Sequence, residues 1–249
     1  MNHRINILNI PFDSVTLRQA LETVLHRLIN HTGKPFFIAT PNPEMLLEAA
    51  KNPPFQKILQ ETDLNIPDGF GIILASKFLR TPLPERVTGT DLMQEICVHA
   101  PHRTKVFLLG AAPGVAEQVK VKLEATYSNI EIVGTMSGTP WREEEQSIIS
   151  HINHLQPELL FVAFGAPKQE LWLARNLHRL QTVKVAMGVG GAFDFIAGIR
   201  KRAPAWVQKL GLEWLYRVIK QPSRIKRIFN ATVKFPLVFL RSQWFGSKK

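Results

Sequence analysis

One cysteine in 249 residues, Cys97, excludes an internal disulfide, and no Cys/His spacing of the zinc kind accompanies it. Its expected place is in the packing of a helix. Long apolar runs are also missing: the longest in the C-terminal segment, residues 235–240, falls far short of the roughly 20 residues needed to cross a bilayer. No basic-then-apolar leader opens the chain, because residues 1–9 alternate polar and apolar and Pro11 and Asp13 follow at once, so a cytosolic protein is expected. The acidic pair Asp-x-Asp, which commonly holds a divalent metal against a nucleotide diphosphate, does not occur. Neither G-x-G-x-x-G nor the Walker Gly-Lys-Ser/Thr occurs, which weakens the dehydrogenase and NTPase readings. Acids themselves run out toward the end. Residues 199–249 hold thirteen Lys and Arg against the single acid Glu213, so that segment carries +12 while the remaining chain is near neutral at −1.

What is present fits an α/β enzyme. At 45% apolar residues the chain can bury a full core, and one main domain is the expectation. Strand-like stretches at 36–40, 64–67, 106–110, 130–134, 159–165 and 183–188 alternate with helical periodicities. Leu17, Leu21, Val24, Leu25 and Leu28 make one apolar stripe behind a Ser14/Thr16 cap, and Ile148, Ile149, Ile152 and Leu155 another behind Glu143, Glu144 and Glu145. That alternation predicts a Rossmann-like, mostly parallel sheet with helices on both faces. Residues 1–198 are expected to form the catalytic domain, and 199–249 a basic helical appendage.

In an open parallel sheet, ligands lie beyond the carboxyl ends of the strands. Five of these strands run into polar or glycine-rich turns, which contribute Gly69, Gly110, Gly165, Pro167, Gly190 and Asp194 as candidate substrate contacts. The turn Gly110-Ala111-Ala112-Pro113-Gly114 could present backbone N–H groups to a phosphate or simply start a helix. Asp68 could take a proton from an attacking hydroxyl, or cap a helix over residues 69–79, or both. Arg86, on a Pro-bounded loop, could hold a phosphate through its planar fork or pair with Glu85 or another acid. The eight histidines are scattered and read as solvated or packing residues, so no metal site and no cofactor is expected.

In the tail, Arg224, Arg227, Lys234 and Arg241 recur at intervals of three and seven, with Ile225, Ile228, Phe229, Phe235 and Phe239 on another side. This predicts a basic amphipathic helix, interrupted at Pro236, that lies on a membrane surface without crossing it. No helix-turn-helix, RNP or zinc pattern supports a nucleic-acid partner, and packing onto the body or another subunit is the remaining alternative.

Five motifs in order resemble one family. They are Thr40-Pro41-Asn42-Pro43-Glu44, Pro67-Asp68-Gly69, Glu85-Arg86-Val87-Thr88-Gly89, Gly165-Ala166-Pro167-Lys168-Gln169-Glu170, and Ala203-Pro204-x-Trp206 through Gly211-Leu212-Glu213-Trp214-Leu215-Tyr216-Arg217. Together they closely resemble the WecG/TagA/CpsF family of bacterial glycosyltransferases. The resemblance implies an inverting, metal-independent transfer of N-acetylmannosamine from its UDP donor to undecaprenyl-diphosphate-linked N-acetylglucosamine, for wall teichoic acid or related envelope polymers. It implies Asp68 as general base, Thr40 and Asn42 in the same pocket, Arg86 at the diphosphate, and Gln169 and Glu170 at the donor. It places Arg217, Arg224 and Arg227 over the lipid diphosphate and the protein on the inner face of the plasma membrane. One turn departs from the family: Gly138-Thr139-Pro140-Trp141 stands where many relatives have a Gly-Tyr-Phe-like turn, which leaves other UDP-sugars open as donors. A non-catalytic nucleotide-binding scaffold and a homo-oligomer are also left open.

Overall fold

The computed structural model describes residues 3–201, 203, 204, 207, 216 and 225–246. Its first element is one that the residue pattern leaves unassigned. β1 (Arg4–Ile7) and β2 (Ile10–Asp13) pair antiparallel, joined by Leu8 and Asn9 at φ 49° and 64°, the turn conformation whose twist matches that of paired strands. The polar–apolar alternation of the first residues is the period of this hairpin, with Ile5, Ile7, Ile10 and Phe12 turned inward. Asp13 anchors it: the carboxylate accepts from Arg4 Nε at 2.9 Å and from the Asn65 N–H at 2.8 Å.

All six expected strands are present: β3 (Phe36–Ala39), β4 (Leu64–Asn65), β5 (Thr104–Gly110), β6 (Ile130–Met136), β7 (Leu159–Ala163) and β8 (Val185–Gly188). They form one sheet in the order β4-β3-β8-β7-β5-β6, with every pairing parallel. A strand such as β7, buried at all five positions, needs cover on both faces, and the helices supply it. Alternate strand residues divide accordingly. Ile38, Leu108, Phe161 and Met187 pack with α1 (Leu17–Ile29), α5 (Gly89–His99), α6 (Val115–Thr126) and α9 (Ala192–Ile196). Phe37, Phe107, Leu160 and Ala186 pack on the other face with α7 (Arg142–Leu155) and α8 (Lys168–Asn176). Helix starts follow the side chains that can satisfy free N–H groups. Thr16 and Gln19 form a capping box on α1, Asn42 caps α2 (Pro43–Ala49), and Asn52 caps α3 (Pro53–Glu61).

α4 (Phe70–Phe78) corrects one expectation. Its N-cap position is held by Gly69, so Asp68 stands one residue before the expected cap. Gly69 has φ 120°, and a Cβ there would stand 2.9 Å from Pro43 Cδ, so glycine alone fits between α2 and the turn that carries Asp68.

The described part of the tail is helical: α10 (Ile225–Phe229), a π-helical stretch Asn230–Lys234, and α11 (Phe235–Gly246). Pro236 falls in the first turn of α11, where its missing N–H costs little, and the change of helical winding precedes it. The segment does not stand off from the body. Phe235 and Phe239 are buried in the same cluster as the β1–β2 hairpin, α2 and α4, and the Phe239 ring meets Phe78 edge-on at 5.7 Å. No helix among the described residues is long and apolar enough to cross a membrane.

Cys97 packs in α5 with no exposed surface, and burial pushes its thiol up to about 12. Alkylation at pH 8 should therefore be at least ~100-fold slower in native buffer than in guanidinium chloride, because only unfolding brings the thiol to water. Timed mass spectrometry of the adduct checks this.

Candidate active site

The carboxyl ends of β4, β3, β8 and β7 converge on a cleft of about 400 Å³. Thr40 and Asn42 enter it from the end of β3, Asp68 from the end of β4, Gly165 and Pro167 from the β7–α8 loop, and Gly190 from the β8–α9 loop. Gln169 lines it from the first turn of α8, and Arg227 and Asn230 reach it from the tail. Eight of the candidate site residues thus share one cavity, along with Glu44, Glu48, Thr88 and Thr90, to which the residue pattern assigns no role. Glu44 and Glu48 have a readable signal: on a helix beginning at Pro43, positions four apart lie on one face.

Each wall has a local cause. Asn42 Oδ1 accepts the N–H groups of Glu44 and Met45, both at 3.1 Å, so its carbonyl is spent on capping α2 and its amide nitrogen is left for a ligand. Thr40 presses against Gly89, where a Cβ would stand 3.2 Å from Thr40 Cγ2. The loop carrying Arg86 is tied to the Asp68 turn by the Val87 N–H, which donates to the Pro67 carbonyl at 3.0 Å. Arg86 is half-buried there and is not in the cleft lining, and Glu85 is turned away, accepting the Leu17 N–H at the start of α1.

The β7–α8 and β8–α9 loops are joined by one side chain. Gln169 Oε1 accepts from the Gly165 N–H at 3.1 Å and from the Gly190 N–H at 3.0 Å, and its Nε2 donates to Glu170 Oε1 at 2.7 Å. Glu170 has no exposed surface and its Oε2 has no hydrogen-bond partner. Burial holds its carboxyl well above the usual carboxylate range, at about 7, against the opposing pull of the Gln169 bond and the backbone. It therefore sits behind the cleft wall. Gly188 leaves room for the pair, since a Cβ there would meet Gln169 Nε2 at 2.7 Å.

Other candidates lie elsewhere. Gly110, at φ 103°, allows β5 to approach β7, where a Cβ would stand 2.7 Å from the Ala163 carbonyl carbon, and its turn leads into α6 outside the cleft. Gly69 frames Asp68 without lining the cavity. Asp194 is paired with Arg200 at 3.1 Å. Arg217 and Arg224 lie outside the described residues.

Among the described lining residues there are three carboxylates, Glu44, Glu48 and Asp68, and one cation, Arg227. Arg227 is bidentate on Glu44, with Nη2 at 2.7 Å and Nε at 2.9 Å from Oε2. No group of three His, Cys, Asp or Glu among the described residues is placed to hold a metal ion. Trp141, in the turn that departs from the resembled family, lies under Lys168 Nζ at 4.9 Å from its ring centroid and so abuts the Gly165–Glu170 motif.

A parallel sheet with a carboxylate and glycine-rich loops at its carboxyl end marks an α/β enzyme working at that edge. The chain belongs to the glycosyl transferase WecG/TagA/CpsF family, whose model matches residues 5–249, and it is a glycosyltransferase. It is 34% identical over 227 residues to a protein of Staphylococcus aureus strain MRSA252 named N-acetylglucosaminyldiphosphoundecaprenol N-acetyl-beta-D-mannosaminyltransferase, covering 90% of this chain and 88% of that one. Proteins of the same name from strains MW2 and NCTC 8325 are 33% identical over the same coverage.

Glu170 makes stability depend on pH. Its folded pKa lies above its unfolded value, so its contribution is complete below about 4.5 and is lost as pH rises through about 7. Glu170→Gln keeps the shape of the neutral acid and should flatten that loss, worth on the order of 3 kcal/mol. Melting temperatures of both proteins from pH 5 to 8 test this.

Proposed function

We propose that this chain transfers N-acetylmannosamine from UDP-N-acetylmannosamine to N-acetylglucosamine on an undecaprenyl-diphosphate carrier, in the synthesis of wall teichoic acid or a related envelope polymer. The observation that carries the reading is Asp68, which lines the cleft together with Thr40, Asn42 and the loops held by Gln169. The acceptor hydroxyl oxygen attacks the anomeric carbon of the donor from the face opposite UDP. As that bond forms, the bond from carbon to the UDP oxygen breaks, the hydroxyl proton passes to Asp68, and UDP leaves with the electron pair. The anomeric configuration inverts. Thr40 and Asn42 orient the acceptor sugar, Gly165, Pro167 and Gly190 contour the donor, and Gln169 with Glu170 keeps those two loops at a fixed separation.

Charge assigns the tail a part in this chemistry. With three carboxylates against Arg227, the described cleft repels a diphosphate, so the transfer needs further cations without calling on a metal. Arg86 and the tail residues Arg217, Arg224 and Arg227 are suited to supply them, with Arg227 exchanging Glu44 for a phosphate. We assign residues 1–198 to the catalytic body and 199–249 to an appendage that rests on the inner face of the plasma membrane, where the lipid-linked acceptor resides. Donor hydrolysis is then limited, because the site is complete only beside its acceptor. The placement of Trp141 and Lys168 beside the donor loop favours one second reading, the same transfer with a different UDP-sugar.

With a lipid-diphosphate-linked N-acetylglucosamine acceptor and EDTA present, the wild type should transfer N-acetylmannosamine, and Asp68→Asn should lose about 10²-fold or more in kcat. Transfer only from another UDP-sugar would move the reading to that donor. Unchanged turnover in Asp68→Asn would remove Asp68 as the base and favour a scaffold. A chain ending at residue 221 should lose transfer to the lipid acceptor, and full activity in it would refute the role given to the tail.

A further inference from the structure

Among the described residues, six of the fourteen exposed large apolar side chains lie on two neighbouring helices. On α4, Phe70, Leu74 and Phe78 recur every fourth residue and leave 46%, 51% and 56% of their surface in water. On α11, Leu237, Leu240 and Trp244 recur at intervals of three and four and leave 63%, 41% and 79% in water. Each stripe lies opposite its own helix's buried side, formed by Ile72 and Ser76 on α4 and by Phe235 and Phe239 on α11. The helices pack side by side, with Phe235 near Gly71 and the Phe239 ring against Phe78, so the two stripes belong to helices in direct contact. Six large apolar side chains this exposed on two packed helices are more than the scattered exposed residues of an ordinary surface.

We infer that α4, a helix of the catalytic body, is itself part of the membrane-binding surface, and that it inserts Phe70, Leu74 and Phe78 into an anionic bilayer beside the apolar stripe of α11. This rests on the membrane reading of the tail given above and extends it from the appendage to the body. Charge argues for a bilayer as the occupant. Lys77 and Arg80 accompany the α4 stripe and Lys234 and Arg241 the α11 stripe, with no acid in residues 70–80 or 225–246. Two copies of such a face would repel, whereas anionic headgroups are attracted to it, at about 1 kcal/mol per basic residue near the surface. The aromatic and aliphatic side chains then take the depth at which interfacial helices bury their apolar faces. Position supplies the second argument. Phe70 follows Asp68 and Gly69 directly, and α11 continues from the segment that puts Arg227 and Asn230 in the cleft. Seating both helices in the interface therefore brings the cleft to the level of the lipid headgroups, where an acceptor diphosphate lies, without lifting the lipid from the bilayer.

The test uses the full chain. Cys97 is buried and poorly reactive, so Leu74→Cys can be labelled selectively with a polarity-sensitive nitrobenzoxadiazole dye. Vesicles of phosphatidylglycerol and phosphatidylcholine should shift the dye emission to the blue, and Phe70→Gln/Leu74→Glu should partition onto them about tenfold or more weakly than the wild type. The same double variant should melt as the wild type does, since both side chains are exposed. If the wild type binds vesicles while the dye stays in water and the double variant binds equally well, α4 is excluded and the tail reading survives. If the wild type does not bind vesicles at all, both readings fail. A blue shift that follows protein concentration without vesicles would replace the bilayer with a second copy of this chain and overturn the inference.

Discussion

A single amide side chain sets the spacing of the cleft. Gln169 Oε1 takes the N–H groups of Gly165 and Gly190, and thereby holds the ends of β7 and β8 in one frame. That bond set makes demands in every direction. Gly188 must lack a side chain so that the amide can pass, and Glu170 must lie beneath it to receive Nε2, buried and therefore neutral over much of the pH range. The strands between these loops are covered on both faces, so no water reaches the bracket from behind. This side of the cleft is thus backbone held rigidly, with the polar group that does the holding spent on the protein itself.

The opposite wall is built from the contact of α2 with the Asp68 turn. Pro43 begins α2 and packs against Gly69, Asn42 caps the helix, and Glu44 faces Arg227 across the cleft mouth. Phe235 and Phe239 then fill the space beside α2 and α4, in the same cluster as the N-terminal hairpin. The basic tail is therefore joined to the body by a shared apolar core as well as by an ion pair. Exposed ion pairs contribute little, whereas two buried phenylalanines contribute several kcal/mol, so the packing is what holds α11 in place.

Much of this is legible in the residues. The six strands follow from the apolar runs and intervening periodicities, and the strand-end rule points to the face that carries the cleft. Thr40, Asn42, Asp68, Gly165, Pro167, Gln169, Gly190 and Arg227 all stand out by motif or pattern and share the cavity. The hairpin escapes such a reading because four-residue strands with one polar face differ little from a coil until something covers the other face. Capping by Asp68 is an ordinary expectation, since an aspartate before a helix often caps it, but the N-cap position falls one residue later, at Gly69. The family resemblance places Glu170 at the donor beside Gln169, yet one residue along a helix rotates a side chain by about 100°, enough to move it from the cleft to the interior.

The sequence by itself determined the α/β class, the strand ends that matter, the concentration of positive charge in the last 51 residues, and the family. These are carried by local periodicity, glycine and proline placement, and composition, all of which survive without contacts. Only the tertiary structure decided that Gln169 braces two loops, that Asp194 is occupied by Arg200, that Arg227 meets Glu44, and that α11 packs on α4 through Phe239 and Phe78. Each of those pairs residues distant in the chain or depends on the rotation of a helix about its axis, and only packing against the rest of the molecule sets that rotation.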